Sequence, residues 1–153
     1  AAAKRLVKLC RQHGALFLVN DSPELAIAVD ADGVHVGQQD MGITEARELL
    51  GPEKIIGIST RTVEQATAAE TAGADYIAVG SMFPTNTKAD AELVGPERLR
   101  EIRAATTSPL VAIGGIDRNN IAEVLAAGAD GARYWIYREC RDPRRWYLHG
   151  VFA

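Results

Sequence analysis

The sequence lacks several features that would place it in a specialised class of protein. It has two cysteines in 153 residues, and they form no Cys-x-x-Cys or Cys/His pattern, so a disulfide framework is excluded. No apolar run approaches the ~20 residues that cross a bilayer. The basic residues after the first three alanines are not followed by the apolar segment of a secretory signal. We therefore expect a reduced, cytoplasmic protein with no membrane partner.

The sequence also lacks an excess of charge of one sign. Its 17 basic and 20 acidic residues give a net charge of −3, which provides no general attraction to nucleic acid. Residues 133–153 are the exception, because they contain both tryptophans and a cluster of arginines. Basic residues interleaved with aromatics can bind nucleic acid. Since no other part of the chain is basic, we interpret this segment as a divergent Arg/Trp-rich tail and expect no nucleic-acid partner.

Short continuous apolar runs recur along the chain and predict strands that are buried on both faces. The five clear runs are 16–19, 34–36, 55–58, 76–79 and 110–113, and a weaker sixth spans 133–137. Helical patterns lie between the runs, at residues 3–13, 24–29, 45–50, 66–72, 97–105 and 119–127. This alternation predicts a βα repeat in an α/β protein.

Polar residues mark the predicted starts of several helices. Ser22 precedes a proline, as expected of an N-cap followed by proline at the first helical position. Thr62 and Gln65 have the spacing of a capping box. Thr44 and Asp117 are predicted to cap the third and the last helix.

A short sequence recurs where helices lead into strands. Residues 72–77 (AGADYI) resemble residues 127–132 (AGADGA), and residues 29–34 are a looser copy. Repeated joints favour a barrel of equivalent units, although a doubly wound sheet can contain the same parts. A closed (β/α)₈ barrel usually needs about 200 residues or more. We therefore predict either a smaller open fold or an incomplete barrel.

Polar residues follow the predicted strands, where βα barrels place their active sites. Asp21 and Asp40 follow neighbouring strands and are expected to face the same opening. Mg²⁺ is commonly bound by one or two carboxylates together with substrate phosphates, so this pair suits a metal–diphosphate site. The alternative is that Asp21 is a turn residue and Asp40 an exposed loop acid.

Two further segments suit phosphate binding. Residues 85–88 (TNTK) combine hydroxyls with an ammonium group, which can hold phosphate oxygens, although a polar surface loop has the same composition. Gly114 and Gly115 precede a helix and can expose backbone N–H groups to an anion. His35 lies inside an apolar strand, where we expect it to be packed or hydrogen-bonded. The sequence shows no Ser/His/Asp or Cys/His arrangement and no Walker loop.

Together these motifs resemble those of the thiamine-phosphate synthase family. The matching stretches are residues 18–21 (LVND), 33–40 (GVHVGQQD), 56–59 (IGIS), 83–88 (FPTNTK) and 112–116 (AIGGI). The resemblance extends over about residues 4–132. It implies a (β/α)₈ TIM-barrel fold with about six of eight βα units, in which residues 1–132 form a partial barrel domain ahead of the tail.

The resemblance implies a transferase of thiamine biosynthesis. The family joins 4-amino-2-methylpyrimidine-5-methyl diphosphate to thiazole phosphate, and diphosphate leaves with the help of Mg²⁺ before the thiazole nitrogen captures the pyrimidinylmethyl cation. By position, the implied site residues are the Mg²⁺ ligands Asp21 and Asp40, the diphosphate contacts Asn20, Ser59 and Lys88, and the thiazole-phosphate contacts Thr85, Thr87 and Gly115. Of these, Ser59 and Lys88 are the implied catalytic residues.

The sequence departs from the family pattern at both ends. The family has two further βα strands before the first helix, with a Gln-x-Arg-x-Lys stretch that has no counterpart here, and Ile136 stands where the family has a serine. The alternatives are therefore an inactive truncated member or phosphate-binding remnant, a thiazole tautomerase-like paralogue, or another phosphate-binding barrel. The tautomerase branch has a catalytic histidine where this chain has Arg61. The sequence leaves open whether the chain forms a homo-oligomer.

Overall fold

The computed structural model describes residues 2–85 and 92–133, and within these ranges helices and strands alternate along the chain. The helices are α1 (Ala2–Gln12), α2 (Pro23–Val29), α3 (Ile43–Leu50), α4 (Val63–Thr71), α5 (Gly95–Ala105) and α6 (Ile121–Ala126). The strands are β1 (Leu18–Asn20), β2 (Gly33–Val36), β3 (Ile55–Thr60), β4 (Tyr76–Val79), β5 (Leu110–Ile113) and β6 (Gly131–Arg133). None of these helices is long and apolar enough to span a bilayer.

The six strands form one parallel sheet in the order β1-β2-β3-β4-β5-β6. Crossovers between parallel strands are right-handed, so an order without reversal places the helices on one face of the sheet. Consecutive helices accordingly pack together, for example α4 against α5. This is the arrangement of a TIM barrel and excludes a doubly wound sheet. Over the described residues β1 and β6 are edge strands, so the barrel is not closed.

The two faces of the sheet differ in burial. The strand residues on one face are buried, and they are Val19, Val34, Val36, Ile56, Ile58, Thr60, Ile77, Val79, Leu110 and Ala112. Leu99 and Ile102 of α5 and Val124 of α6 are also fully buried, so the core lies between this face and the helices. On the opposite face Asn20 and Ser59 are only partly buried. That face therefore leaves its carboxyl-terminal end open to a ligand.

Three aspartates at the helix–strand joints hold pairs of strands in register. The carboxylate of each aspartate accepts a hydrogen bond from the amide of a residue at or just before the start of the preceding strand. The backbone amide of the aspartate in turn donates to the carbonyl of that residue. The pairs are Asp32 with Phe17, Asp75 with Ile56 and Asp130 with Leu110, with carboxylate distances of 2.7, 2.7 and 2.8 Å and carbonyl distances of 2.9, 2.8 and 2.9 Å. These aspartate clamps explain the repeated sequence at the joints.

Most predicted elements are confirmed to within about two residues, the ordinary uncertainty of element boundaries. The first strand begins at Leu18 rather than at Leu16, which lies in the preceding loop and is 56% exposed. The sixth strand begins at Gly131, two residues before the predicted segment. Residues from 134 onwards lie outside the described residues, and they include the rest of that segment and all but the first residue of the predicted tail.

Two of the four predicted helix caps are confirmed. Ser22 and Thr62 each accept a hydrogen bond from the amide three residues on, both at 3.2 Å. The second bond of the predicted capping box differs, because the Gln65 side chain accepts from the amide of Arg61 rather than from that of Thr62. The Thr44 prediction is wrong, because Thr44 already lies inside α3. Asp117 accepts from the amide two residues on at 2.7 Å, in the turn that leads into α6, but the residue at the N-cap position of α6 is Asn120.

Removal of one aspartate clamp is expected to destabilise the sheet. Asp75→Ala leaves the N–H of the fully buried Ile56 without its acceptor, which should lower the free energy of unfolding by about 1–3 kcal/mol. Asp75→Asn retains an acceptor oxygen and should recover most of that loss. Urea denaturation followed by circular dichroism measures both. Glu53→Ala, an exposed loop change, is the control, and an equal stability of Asp75→Ala and Glu53→Ala would contradict the clamp.

A glutamate clamp joins α4 to the segment before β5 and makes the stability of the protein depend on pH. Glu70 Oε1 accepts hydrogen bonds from the amides and hydroxyls of Thr107 and Ser108 at 2.7–3.0 Å. These bonds, the Thr107 amide first, lower the pKa of Glu70 from 4.5 to about 2. A carboxyl whose pKa is lowered by folding stabilises the protein above its unfolded pKa, and this contribution is lost as the pH falls through the folded pKa.

Glu70→Gln should therefore reduce the acid-induced loss of stability between pH 4.5 and about 2. Urea denaturation at several pH values across this window measures the effect. The exposed change Glu123→Gln in α6 should retain the full dependence on pH. An unchanged dependence in Glu70→Gln would show that its hydrogen bonds do not couple to folding.

Candidate functional site

The described site residues lie at the carboxyl ends of adjacent strands or in the loops that follow them. Asn20 ends β1, Ser59 is the last residue but one of β3, and Thr85 lies in the loop after β4. Gly115 is two residues beyond the end of β5. Because all strands are parallel, these positions meet at one edge of the sheet.

The two candidate metal ligands follow paired strands. The Asp21 amide donates to the His35 carbonyl at 2.8 Å, and its φ of 65° is a left-handed conformation that aspartate tolerates. Asp40 Oδ2 accepts from the Gly37 amide at 2.7 Å. Both side chains are exposed. In residues 2–85 and 92–133 nothing else bonds either carboxylate, so oxygens of both remain available to a cation.

The described ranges contain no cluster of three or more His, Cys, Asp or Glu side chains that could hold a metal. A cation bound here would therefore rely on the two carboxylates and take its other ligands from a substrate or from water. Mg²⁺ is commonly bound in this way, with one or two carboxylates and substrate phosphate oxygens. The donor set fits that ion.

Ser59 is held at both of its oxygens by residues of β2 and the following loop. Its hydroxyl lies 2.8 Å from His35 Nε2, and its carbonyl accepts from Gln38 Nε2 at 2.7 Å. His35 is 7% exposed, and its Nδ1 lies 2.7 Å from the Tyr76 hydroxyl. The expectation that His35 is packed and hydrogen-bonded is confirmed.

The contact between Ser59 and His35 is not apparent from the sequence. His35 and Ser59 are 24 residues apart, and Tyr76 is 41 residues from His35. The parallel register of β2, β3 and β4 brings the three side chains together. The one available signal was that His35 and Tyr76 fall in predicted strands and that Ser59 directly follows the predicted strand between them.

The glycines after β5 contact the loop after β4. Gly115 has a φ of 64°, and a Cβ there would lie 2.6 Å from the Phe83 carbonyl oxygen and 2.7 Å from the Pro84 carbonyl oxygen. The Gly115 carbonyl accepts from Asn120 Nδ2 at 3.0 Å, which anchors the turn. The absence of a side chain thus lets the turn approach the backbone just before the half-buried Thr85. The predicted site residues Thr87 and Lys88 lie outside the described residues.

A surface groove of about 580 Å³ lies between α1 and α2, and none of the predicted site residues lines it. One of its basic residues, Arg11, is paired with Asp30 at 3.0 Å, and Lys54 contacts the same carboxylate at 2.8 Å. These cations lower the pKa of Asp30, with Lys54 the larger cause. The charged residues of this groove therefore form ion pairs within the fold, and the candidate site residues lie at the strand ends instead.

Comparisons with known proteins agree with this geometry. The sequence model of the family described as thiamine monophosphate synthase matches residues 1–133. The thiamine-phosphate synthase of Shouchella clausii is 54% identical over 129 residues, covering 84% of this chain and 62% of the relative. That of Methanospirillum hungatei is 52% identical over 132 residues, covering 86% and 64%. The solved thiamine phosphate pyrophosphorylase from Pyrococcus furiosus has a TM-score of 0.78 and 47% identity, covering 86% and 62%.

The chain spans about three fifths of the length of these relatives. The match with the family model nevertheless covers all of the residues that the structure describes, including every described site residue. The family model, the identities and the fold of the solved relative lead to one conclusion. This chain belongs to the thiamine monophosphate synthase family.

Proposed function

We propose that this chain acts as a thiamine-phosphate synthase. The reaction joins 4-amino-2-methylpyrimidine-5-methyl diphosphate to thiazole phosphate. The bond between the pyrimidinylmethyl carbon and the diphosphate oxygen breaks, pyrophosphate leaves with the electron pair, and the thiazole nitrogen forms the new bond to carbon. The observation that carries this proposal is the placement of Asp21, Asp40 and Ser59 at the ends of three adjacent strands, in a chain about half identical to thiamine-phosphate synthases.

We propose Mg²⁺ as the cofactor, because the two exposed carboxylates provide the hard oxygen ligands that it prefers. Asp21 and Asp40 would hold it. When bound, the ion would neutralise negative charge on the departing diphosphate.

The other residues of the site are proposed to bind the diphosphate. A developing cation and a departing anion require positioned charges and hydrogen-bond donors more than a base or nucleophile. Asn20 and Ser59 are half-buried at the strand ends and can donate their amide and hydroxyl hydrogens to diphosphate oxygens. Lys88, three residues after Thr85 in the sequence, would supply a positive charge. Ser59 and Lys88 are the proposed catalytic residues.

The thiazole phosphate is proposed to bind at the neighbouring loops. Thr85 and Thr87 would donate hydroxyl hydrogens, and the turn at Gly115 would donate a backbone N–H. The close approach of Gly115 to the Phe83 and Pro84 carbonyls supports a shared site. We place the reaction in the cytoplasm, as the sparse cysteines suggest.

A second candidate function is binding of the diphosphate without turnover. The observation that favours it is the open sheet, because β1 and β6 are both edge strands over the residues described. In a closed barrel, the sheet face that is partly exposed in this chain forms the packed interior. An open face excludes water less completely, which weakens every electrostatic contribution to the reaction.

Replacement of either carboxylate is expected to abolish most of the turnover. The purified chain is incubated with both substrates and Mg²⁺, and thiamine phosphate and pyrophosphate are followed. Asp21→Asn and Asp40→Asn should each reduce the rate roughly a hundredfold, as loss of one charge-stabilising group does elsewhere, and omission of Mg²⁺ should do the same. Glu45→Gln, an exposed change in α3, should match the parent.

A parent chain that is folded by circular dichroism but forms no product would contradict the synthase proposal. If that chain still binds Mg²⁺ and pyrophosphate in calorimetry, the second candidate function is the better account. If turnover persists in both aspartate variants, the metal assignment is wrong.

Gly115→Ala is expected to weaken binding of thiazole phosphate selectively. The added methyl would collide with the Phe83 carbonyl at 2.6 Å in a left-handed backbone conformation. The KM for thiazole phosphate should rise about tenfold or more, whereas the KM for the pyrimidine diphosphate should change little. Gly14→Ala is the matched control, because Gly14 has a φ of 65° with no atom within 4 Å of the added methyl. Equal effects on both substrates would contradict the assignment of Gly115.

A further inference from the structure

The side chains of Tyr76, His35 and Ser59 form a hydrogen-bonded relay across three strands. The Tyr76 hydroxyl lies 2.7 Å from His35 Nδ1, and His35 Nε2 lies 2.8 Å from Ser59 Oγ. The two rings stack with their centroids 5.5 Å apart and an angle of 28° between their planes. The relay ends at Ser59, the half-buried hydroxyl at the open end of the sheet.

Gly57 provides the space that the relay requires. His35, Gly57 and Tyr76 are register partners on β2, β3 and β4, so the Tyr76 side chain must pass over β3 to contact His35. A Cβ on Gly57 would overlap the Tyr76 ring. Only glycine at this position allows the tyrosine to reach across β3 to the histidine. The relay is therefore built into the sheet and is not a chance contact of surface side chains.

The direction of the relay follows from the donors that each group can offer. A neutral imidazole has one N–H donor and one acceptor nitrogen, and its neighbours select which nitrogen carries the proton. If Nδ1 accepts from the Tyr76 hydroxyl, then Nε2–H donates to Ser59 Oγ, and the Ser59 hydrogen is available to another acceptor. If the proton is on Nδ1 instead, Ser59 donates into the ring and offers only lone pairs to a ligand.

We propose that Tyr76 and His35 are positioning residues that keep Ser59 as a hydrogen-bond donor to the diphosphate. A diphosphate oxygen accepts hydrogen bonds and donates none when ionised, so only the Nε2–H form of His35 leaves Ser59 with the required donor. Tyr76 favours that form by donating to Nδ1. This inference rests on the proposed function, in which Ser59 contacts the diphosphate.

The position of the proton on His35 tests the relay without any substrate. The chain is labelled with ¹⁵N-histidine, and long-range ¹H–¹⁵N correlation spectra show which ring nitrogen is protonated. Ser59→Ala identifies the His35 signal, because it removes the hydrogen-bond partner of His35 Nε2. We expect the proton on Nε2 in the parent chain and a loss of this preference in Tyr76→Phe, which keeps the ring over Gly57.

A parent chain with the proton on Nδ1 would overturn the inference. In that form Ser59 donates to the imidazole, which is the direction found in a nucleophile–base pair. An unchanged His35 spectrum in Tyr76→Phe would also contradict it, because Tyr76 would then have no influence on the tautomer.

Binding of inorganic pyrophosphate in the presence of Mg²⁺ supplies the second readout. Calorimetry should show affinity about tenfold weaker in Tyr76→Phe and in Ser59→Ala, the size expected when one hydrogen bond to a charged group is lost. Because Tyr76 acts through Ser59, the double variant should bind no more weakly than Ser59→Ala alone. Full addition of the two losses would contradict the relay.

Thr60→Val is the matched control. Thr60 is the next residue of β3, and its buried hydroxyl donates to the Ala78 carbonyl at 3.3 Å on the helix-facing side. Its loss removes a buried hydroxyl from the same strand without touching the relay, so pyrophosphate affinity and the His35 spectrum should match the parent.

The results that would contradict the proposed function differ from those that would contradict the relay. A folded parent chain that binds no pyrophosphate with Mg²⁺ would contradict the diphosphate site, and the His35 tautomer would still decide the direction of the relay. An Nδ1 proton would overturn the relay even in a chain that forms thiamine phosphate.

Discussion

The register of the sheet depends on how buried amides at the start of its strands are satisfied. The amides of Phe17, Ile56 and Leu110 belong to residues that are at most 2% exposed, and an unpaired N–H in such a place is costly. The carboxylate from the next helix–strand joint supplies each acceptor. Because the same aspartate also donates its amide back, each clamp holds two neighbouring strands at one relative position. The aspartate of the repeated Ala-Gly-Ala-Asp sequence thus has a structural role, because it fixes the register of two strands.

The candidate site is a consequence of that register. A shift of one residue between strands would turn every side chain to the opposite face, and Ser59 would then point into the helix-facing core. In the observed register, Asn20 pairs with His35, and His35 pairs with Gly57. The polar side chains at the strand ends therefore share one face with the relay, on the side of the sheet that the helices leave open. The clamps lie at the amino ends of the strands, and the proposed chemistry lies at the carboxyl ends.

Sequence patterns predicted the parts of the fold that depend on local composition. Continuous apolar runs predicted β4 and β5 with the observed bounds, because both faces of these strands pack against other groups. Local sequence patterns gave wrong predictions where tertiary packing determines the structure. Thr44 is a good capping residue, but α3 begins at Ile43, which is 5% exposed, so burial of the isoleucine outweighs the cap. The contacts of His35 with Ser59 and Tyr76 depend on strand register, which neither periodicity nor spacing supplies.

We propose that the carboxyl ends of adjacent strands hold a metal–diphosphate site. A crystal structure of this chain with Mg²⁺ and pyrophosphate tests it most directly. We expect oxygens of Asp21 and Asp40 to hold the Mg²⁺ ion and the Ser59 hydroxyl to contact the diphosphate. Pyrophosphate bound elsewhere, for example at the basic groove between α1 and α2, with neither aspartate contacting an ion, would contradict it.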